Sequence, residues 1–253
     1  MKSVSSIILL VTIASMSFVE GQPHNTIRIA SASDLKFALD SILSVFDGAD
    51  AENISITYGS SGKLFVQISN GAPFDLFFSA DIGYPRKLQA NGLTRSEIYS
   101  YGIGRIVLWS KKLDPRREGM SSLRNSSIKK VAIANPTHAP YGQRASESLE
   151  HFKLLDAIQK KLVYGENISQ TAQFVAIGAA DIGIVALSLA LSPGMQHDGG
   201  NYFLIPEESH SRLEQGVVLT LRGSKNSLAR SFLDFIKTEQ AVAILRYFGF
   251  TKP

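Results

Sequence analysis

The amino-acid sequence predicts an α/β protein with two units, each a sheet flanked by helices. About the first hundred residues repeat a short apolar strand, a turn of small polar residues and an amphipathic helix, and a second such series begins near residue 130. This order is typical of parallel sheets covered by helices. The length of 253 residues fits one large domain or two small ones, since a domain has about 150 residues. We therefore expect two lobes with a cleft between them.

The composition is that of an ordinary globular protein. Hydrophobic residues make up 44% and charged residues 19% of the chain, which argues against disorder and coiled coil. The chain contains no Cys, which excludes a disulfide framework, a thiolate metal site and a Cys nucleophile. The net charge is +4, but Lys and Arg are spread along the chain, so we expect no nucleic-acid partner.

The N-terminal segment has the pattern of a secretory signal peptide. Lys2 precedes an apolar stretch over residues 7–19. This stretch is too short for a bilayer core, which needs about 20 residues, but it fits the apolar region of a signal peptide. We expect residues 1–21 to be removed and the mature protein to reach the periplasm of a Gram-negative cell.

Three strands are predicted in the first unit, because short apolar runs there end at turn-forming residues. These strands cover residues 27–30, 53–58 and 75–78. Apolar residues at helical spacing follow the first two strands, over residues 35–46 and 64–68, and Gly92 is typical of the end of a third helix. Residues 59–62, with the sequence Gly-Ser-Ser-Gly, predict a turn.

The rest of the chain predicts a second series and a C-terminal helix. Strands are expected at residues 101–110, 130–134, 162–164, 181–187 and 217–221. Helices are expected at residues 144–151 and 168–177 and, as one long amphipathic helix, at residues 228–247. Residues 135–142 predict a turn-rich loop.

Small polar residues occur where three of the predicted strands end. They are found at residues 31–33, 59–62 and 140–142. In open parallel sheets, ligands bind beyond the carboxyl ends of the strands, where helices begin and present free N–H groups. Several such ends together would form a donor-rich, charge-neutral anion site. The alternative for Ser33 is a purely structural role as a helix cap.

No catalytic or metal-binding motif is found. The five His residues lack metal-ligand spacing, and no Gly-x-Ser-x-Gly or His-Glu-x-x-His pattern occurs. The Gly-Ser-Ser-Gly-Lys run at residues 59–63 lacks the spacing of a phosphate loop. A Ser–His–Asp triad could still assemble from distant residues, so a hydrolase stays open as an alternative that nothing favours.

Five segments, taken in order, resemble the periplasmic molybdate-binding proteins of ABC transporters. They are ASASDLKFAL (30–39), YGSSGKLFVQISNGAPFDLFFSAD (58–81), ANPTHAPYGQRA (134–145), GENISQTAQFVAIGAADIGIVALS (165–188) and RYFGF (246–250). The second segment is the most specific, and the resemblance covers essentially the whole mature chain. It implies a type II periplasmic binding protein, whose two lobes each contain a mixed, mostly parallel sheet flanked by helices.

The resemblance also implies the domain organisation and the activity. Residues 22–102 and 216–253 would form the first lobe, and residues 103–215, with the crossover segments, the second. Closure of the lobes would trap one molybdate or tungstate ion for delivery to an ABC-type membrane permease. The protein would be a monomer, would need no cofactor and would not be an enzyme.

Four residues are implied as oxyanion ligands. Ser33 and Ser61 would each donate a hydroxyl and a backbone N–H, while Tyr141 and Ile168 would each donate a backbone N–H. They would contact molybdenum only through the oxygens of the molybdate.

Two positions depart from the family pattern. Ala186 stands where many members have a Tyr whose hydroxyl reaches the anion, so one hydrogen bond is lost unless Tyr141 or another residue replaces it. Asp34 would repel an anion unless its side chain turns away. These departures keep open another tetrahedral oxyanion, such as sulfate or phosphate. Molybdate and tungstate are fully deprotonated at neutral pH and only accept hydrogen bonds, whereas phosphate keeps a proton and needs an acceptor. Sulfate differs mainly by its shorter bonds.

Overall fold

The computed structural model describes residues 26–46, 53–197 and 199–253, so the predicted signal peptide at residues 1–21 lies outside the described residues. The strands are β1 (Ile27–Ala32), β2 (Ile54–Gly59), β3 (Leu76–Ser79), β4 (Tyr99–Gly104), β5 (Ile106–Ser110), β6 (Val131–Ala134), β7 (Leu162–Gly165), β8 (Ile182–Ala186), β9 (Asn201–Leu204) and β10 (Leu213–Leu219). The helices are α1 (Lys36–Val45), α2 (Ser61–Ser69), α3 (Gly83–Ala90), α4 (Pro140–His151), α5 (Leu155–Ile158), α6 (Ile168–Ala176), α7 (Leu187–Ala190), α8 (Pro193–His197), α9 (Ser227–Ile236) and α10 (Glu239–Tyr247).

The strands form two five-stranded sheets, one in each lobe. The first has the order β2-β1-β3-β10-β4 and the second the order β7-β6-β8-β5-β9. In each sheet four strands run in one direction, and only β10 or β5 runs against its neighbours. The predicted two-lobed fold with mixed, mostly parallel sheets is confirmed.

The chain crosses between the sheets twice. Gly104 pairs with Leu213 in the first sheet, whereas Ile106 pairs with Ala186 in the second. The prediction of one strand over residues 101–110 is therefore wrong, because the chain changes sheets at Arg105. The return crossing lies between β9, which was not predicted, and β10, which begins before the predicted residue 217. The proposed lobe boundaries near residues 102 and 216 remain predictions.

Three helices begin at residues other than those predicted, because the local backbone conformation sets where each helix starts. Ser60 has an extended backbone, so α2 begins at Ser61, inside the predicted turn. Pro140 occupies the first turn of α4, where its missing N–H costs nothing, so this helix begins before the predicted residue 144. The predicted helix over residues 228–247 is two helices, because Thr238 is extended and its side chain caps α10 by accepting from the N–H of Ala241.

Each lobe has its own apolar core. In the first lobe the rings of Phe78 and Phe232 meet edge to face, and in the second Trp109 is only 1% exposed. Phe37, at the start of α1, packs against both cores and so lies at the junction of the lobes. Within the described ranges, no helix has the length and apolar character needed to cross a membrane.

Candidate functional site

A small buried cavity lies between the lobes and brings all four predicted ligand residues together. Ser33, Ser61, Tyr141 and Ile168 line it, and each is less than 5% exposed. The strands β1 and β2 of the first lobe end at this cavity, as does the loop that leads from β6 into α4. Residues far apart in sequence therefore meet where strands of both sheets end.

Three helices begin at the cavity. Ser61 and Ile168 are the first residues of α2 and α6, and Tyr141 is the second residue of α4. The first N–H groups of a helix have no partner within that helix and carry a partial positive charge. Among the described residues that line the cavity, none is Lys, Arg or His. The cavity therefore offers hydrogen-bond donors without a positively charged side chain.

The side chain of Ser61 is held with its hydroxyl proton available. Its Oγ accepts from the backbone N–H of Ala80 at 2.9 Å. A hydroxyl can donate once and accept as well, so this contact leaves the O–H of Ser61 able to donate into the cavity. The neighbouring Ser60 has a different role, since its Oγ lies 2.9 Å from Nδ1 of His138 in the second lobe.

Ser33 connects the two lobes directly. Its hydroxyl donates to Oδ1 of Asn167 at 3.2 Å and accepts from the backbone N–H of Ser169 at 3.3 Å, while its carbonyl oxygen accepts from the hydroxyl of Ser169 at 2.8 Å. The short 3-10 turn at Ser33–Leu35 has no side-chain cap, so the alternative role of Ser33 as a helix cap is not found. The hydroxyl of Ser33 would have to rotate away from Asn167 to reach a ligand.

Asp34 lines the same cavity, and only one of its two carboxyl oxygens has a hydrogen-bond partner among the described residues. Its Oδ2 accepts from the hydroxyl of Tyr141 at 2.9 Å and from Nε2 of Gln215 at 2.9 Å. Its Oδ1 is buried and has no hydrogen-bond partner among the described residues. Burial raises the pKa of Asp34 to about 6, although the hydrogen bonds from Gln215 and Tyr141 and the nearby backbone N–H groups of residues 34 and 35 oppose this shift.

A polar network lies behind Asp34. Oε1 of Gln215 accepts from the hydroxyl of Tyr101 at 2.7 Å, and that hydroxyl also lies 3.1 Å from the carbonyl oxygen of Ser79. Burial raises the pKa of both Tyr101 and Tyr141 well above the ordinary value, so both stay neutral. Tyr101 and Gln215 lie inside β4 and β10. The sequence indicates Tyr101 only as an aromatic residue of a core or of the lobe junction, and no sequence signal points to Gln215.

Position 186 contributes no donor to the cavity. Ala186 is fully buried at the end of β8 and belongs to the core of the second lobe. The hydroxyl of Tyr141 has one proton and donates it to Asp34, so it does not replace the missing donor in this arrangement.

Polar contacts join the lobes around the mouth of the cavity. The backbone N–H of Gly62 donates to the carbonyl oxygen of His138 at 3.0 Å, and Lys63 pairs with Glu166. Arg144 of the second lobe pairs with Asp81 of the first at 3.4 Å. The Lys63 ammonium lowers the pKa of Glu166, whereas burial lowers the pKa of His138.

The described residues also bear on metal chemistry. No group of three or more His, Cys, Asp or Glu residues in the described part of the chain could hold a metal ion. The polar groups that line the cavity are N–H groups at helix starts, hydroxyls and one carboxyl group.

Comparison with known proteins gives a family match and close relatives. The family described as bacterial extracellular solute-binding protein matches residues 27–251. The molybdate-binding protein ModA of Rhodobacter capsulatus is 33% identical over 208 residues, which cover 81% of this chain and 80% of the relative. The protein of the same name from Azotobacter vinelandii is 32% identical over 225 residues, which cover 88% of this chain and 89% of the relative.

A solved structure agrees with these matches. The Azotobacter vinelandii periplasmic molybdate-binding protein superposes with a TM-score of 0.82 at 31% sequence identity, and the alignment covers 90% of this chain and 99% of that one.

Proposed function

The chain belongs to the family of bacterial extracellular solute-binding proteins, and we propose that it binds molybdate between its lobes for an ABC-type membrane permease. The observation that carries this proposal is the shared cavity of Ser33, Ser61, Tyr141 and Ile168. Relatives named as molybdate-binding proteins align with most of the chain, which supports the choice of ligand.

The chemistry of molybdate fits a site made of donors. Its oxygens only accept hydrogen bonds at neutral pH, so they match hydroxyls and the free N–H groups at helix starts. Helix ends and aligned amides spread the stabilisation of the anion, and no counter-charge is required. Hydrogen bonds to a charged group contribute about 1.5–3 kcal/mol each. Half a dozen of them would support sub-micromolar binding, which needs about 8 kcal/mol.

In the complex, we expect Ser33 and Ser61 to donate their hydroxyls and backbone N–H groups. Tyr141 and Ile168 would donate backbone N–H groups. Tungstate has the same charge and shape as molybdate, so we expect it to bind at the same place.

We further propose that the protein acts as an exported monomer. The apolar N-terminal segment supports export to the periplasm by a signal peptide. Family membership supports a membrane permease as the partner.

A second candidate ligand is another tetrahedral oxyanion, and one observation favours it. The free Oδ1 of Asp34 is an acceptor in the cavity wall when the carboxyl is ionised. Hydrogenphosphate could donate its proton to that oxygen, whereas molybdate could not.

Isothermal titration of the ligand-stripped mature chain tests the proposal. Molybdate, tungstate, sulfate and phosphate are titrated separately at pH 7. We expect one-to-one binding of molybdate and tungstate and no heat of binding for sulfate or phosphate. If phosphate binds and molybdate does not, the site selects a different oxyanion, and Asp34 is the residue that would explain the change.

A further inference from the structure

The free oxygen of Asp34 is a polar atom that the proposed ligand contacts do not use. Four buried side-chain polar atoms lack a partner among the described residues, and Asp34 Oδ1 is the one whose residue lines the cavity. An unpartnered buried oxygen costs free energy, so its retention calls for an explanation. The cavity itself supplies one, because Asp34 lines it and would be a neighbour of a ligand bound there.

No cation in the described part of the chain pairs with Asp34. Side chains from three elements contact it: Tyr141 of α4, Gln215 of β10 and Ser188 of α7, whose hydroxyl donates to the carbonyl oxygen of Asp34. The backbone N–H groups of residues 34 and 35 also lie near the carboxyl. The titratable groups that face it are Tyr141 and, through Gln215, Tyr101 of β4, and both are neutral. Lys36, two residues further along the chain, is exposed and pairs with Asp40.

An ionised Asp34 would therefore repel a dianion in the cavity. Like charges at short range favour protonation of a carboxylate, and burial acts in the same direction. Oδ2 already accepts two hydrogen bonds, so an added proton belongs on Oδ1. A protonated carboxyl donates one hydrogen bond from that oxygen.

We propose that Asp34 contacts the oxyanion as a neutral carboxylic acid, with Oδ1–H donating to a ligand oxygen, so that binding takes up one proton. The inference rests on the proposed function. The proton comes from solvent and forms one O–H bond, and no other bond changes. Asp34 then supplies the side-chain donor that Ala186 lacks. It would be a fifth ligand residue, beside the four that the family resemblance implies.

Because of this role, the affinity for molybdate should fall as the pH rises. In the free protein the pKa of Asp34 is raised to about 6 by burial, and a bound dianion raises it further. Above pH 6 the free carboxyl is ionised and must take up a proton on binding. The Kd should then rise about tenfold per pH unit until the pKa of the complex is reached. Below pH 6 the dependence should flatten.

The test is isothermal titration with molybdate between pH 6.0 and 8.5, in pairs of buffers with different ionisation enthalpies. The difference in binding heat between the two buffers gives the number of protons taken up per ligand bound. For the wild type at pH 8 we expect uptake of about one proton and an affinity that falls with pH. The matched variant D34N keeps the size of the side chain and offers an amide donor. It should bind without proton uptake and with a nearly constant Kd.

Two further variants separate the explanations. His138, near the cavity, is a second titratable group, whose pKa burial lowers, and H138Q should keep the proton uptake of the wild type. Y141F removes a hydrogen bond that opposes the raised pKa of Asp34, so the fall in affinity should begin at higher pH. Y141F leaves the backbone N–H of residue 141 in place and provides a test if D34N does not fold.

The outcomes distinguish this inference from the proposed function. Molybdate binding without proton uptake, or unchanged uptake in D34N, would overturn the role of Asp34 and leave molybdate binding intact. Phosphate binding without proton uptake, abolished in D34N, would mean that Asp34 stays ionised and accepts from the ligand. No molybdate binding at any pH would overturn the proposed function, and the inference with it.

Discussion

The backbone N–H of Gly62 donates to the carbonyl oxygen of His138 at 3.0 Å, so the first turn of α2 touches the second lobe. A Cβ at position 62 would lie 2.6 Å from that same carbonyl oxygen, closer than real Cβ atoms approach. Gly62 is helical and needs no unusual backbone angle. Its missing side chain therefore serves the contact between the lobes and not the conformation of the helix.

We expect Gly62→Ala to weaken molybdate binding at least tenfold without destabilising the first lobe. Ala favours a helix over Gly by about 1 kcal/mol, so the added methyl group should not harm α2. It should hold the lobes apart, because one opposing atom belongs to the backbone of His138 and moves only with its lobe. The hydroxyl of Tyr84 would lie 2.9 Å from the same Cβ, but it ends a side chain that can shift. Titration measures the affinity, and chemical denaturation measures the free energy of unfolding.

Gly194→Ala in α8 is the matched control, since a Cβ there meets nothing within 4 Å. It should bind molybdate like the wild type. Unchanged affinity in Gly62→Ala would mean that ligand binding does not need the contact at His138.

Ser33→Ala and Ser61→Ala should each raise the Kd for molybdate by about 10–100-fold, since each removes one hydrogen bond of about 1.5–3 kcal/mol to a charged ligand. Ser33→Ala also removes the acceptor for the backbone N–H of Ser169, so it should lose at least as much. Ser44→Ala, on the exposed part of α1, serves as the control. If both cavity variants bind molybdate like the wild type and their thermal unfolding is unchanged, the assignment of Ser33 and Ser61 as ligand residues is wrong.

Much of the fold follows from local patterns, whereas the network behind the cavity does not. Alternating apolar residues and small polar turns indicated β1, β2 and β6, and Ser33 and Ser61 stood out because they follow strand ends. Gln215 gave no signal, because its importance comes from meeting Asp34 across 181 positions of sequence. The apolar pattern did not show the change of sheets at Arg105, because β5 is buried throughout and continues the apolar run of β4. Only the family resemblance placed a lobe boundary there, between residues 102 and 103.

The two chain crossings should act as the hinge for lobe movement. β4 and β5 are separated only by Arg105, and the return path runs from β9 to β10. Such short connections between separate cores favour rigid rotation of the lobes. Small-angle scattering of the mature chain should give a smaller radius of gyration with saturating molybdate than without it. Identical profiles, at a ligand concentration that titration shows to be saturating, would argue against a hinge.

Asp34 should also make the free protein less stable as the pH rises from about 4 to 6. Its pKa is about 6 in the folded chain and 3.8 in the reference state, so the folded state binds the proton more tightly. Between these values the folded state holds more protons than the unfolded state, and the free energy of unfolding falls as the pH increases. A shift of about two pKa units corresponds to about 3 kcal/mol, which is fully lost only above pH 6.

The comparison of wild type with Asp34→Asn isolates this effect, because other carboxyl groups contribute equally to both proteins. Relative to the wild type, the variant should gain stability between pH 4 and pH 7, when both are unfolded by urea without ligand. Carboxyl groups with lowered pKa, such as that of Asp181, change stability in the opposite direction and cancel in the difference. A difference in unfolding free energy that stays constant over this range would mean that Asp34 does not hold its proton more tightly in the folded chain.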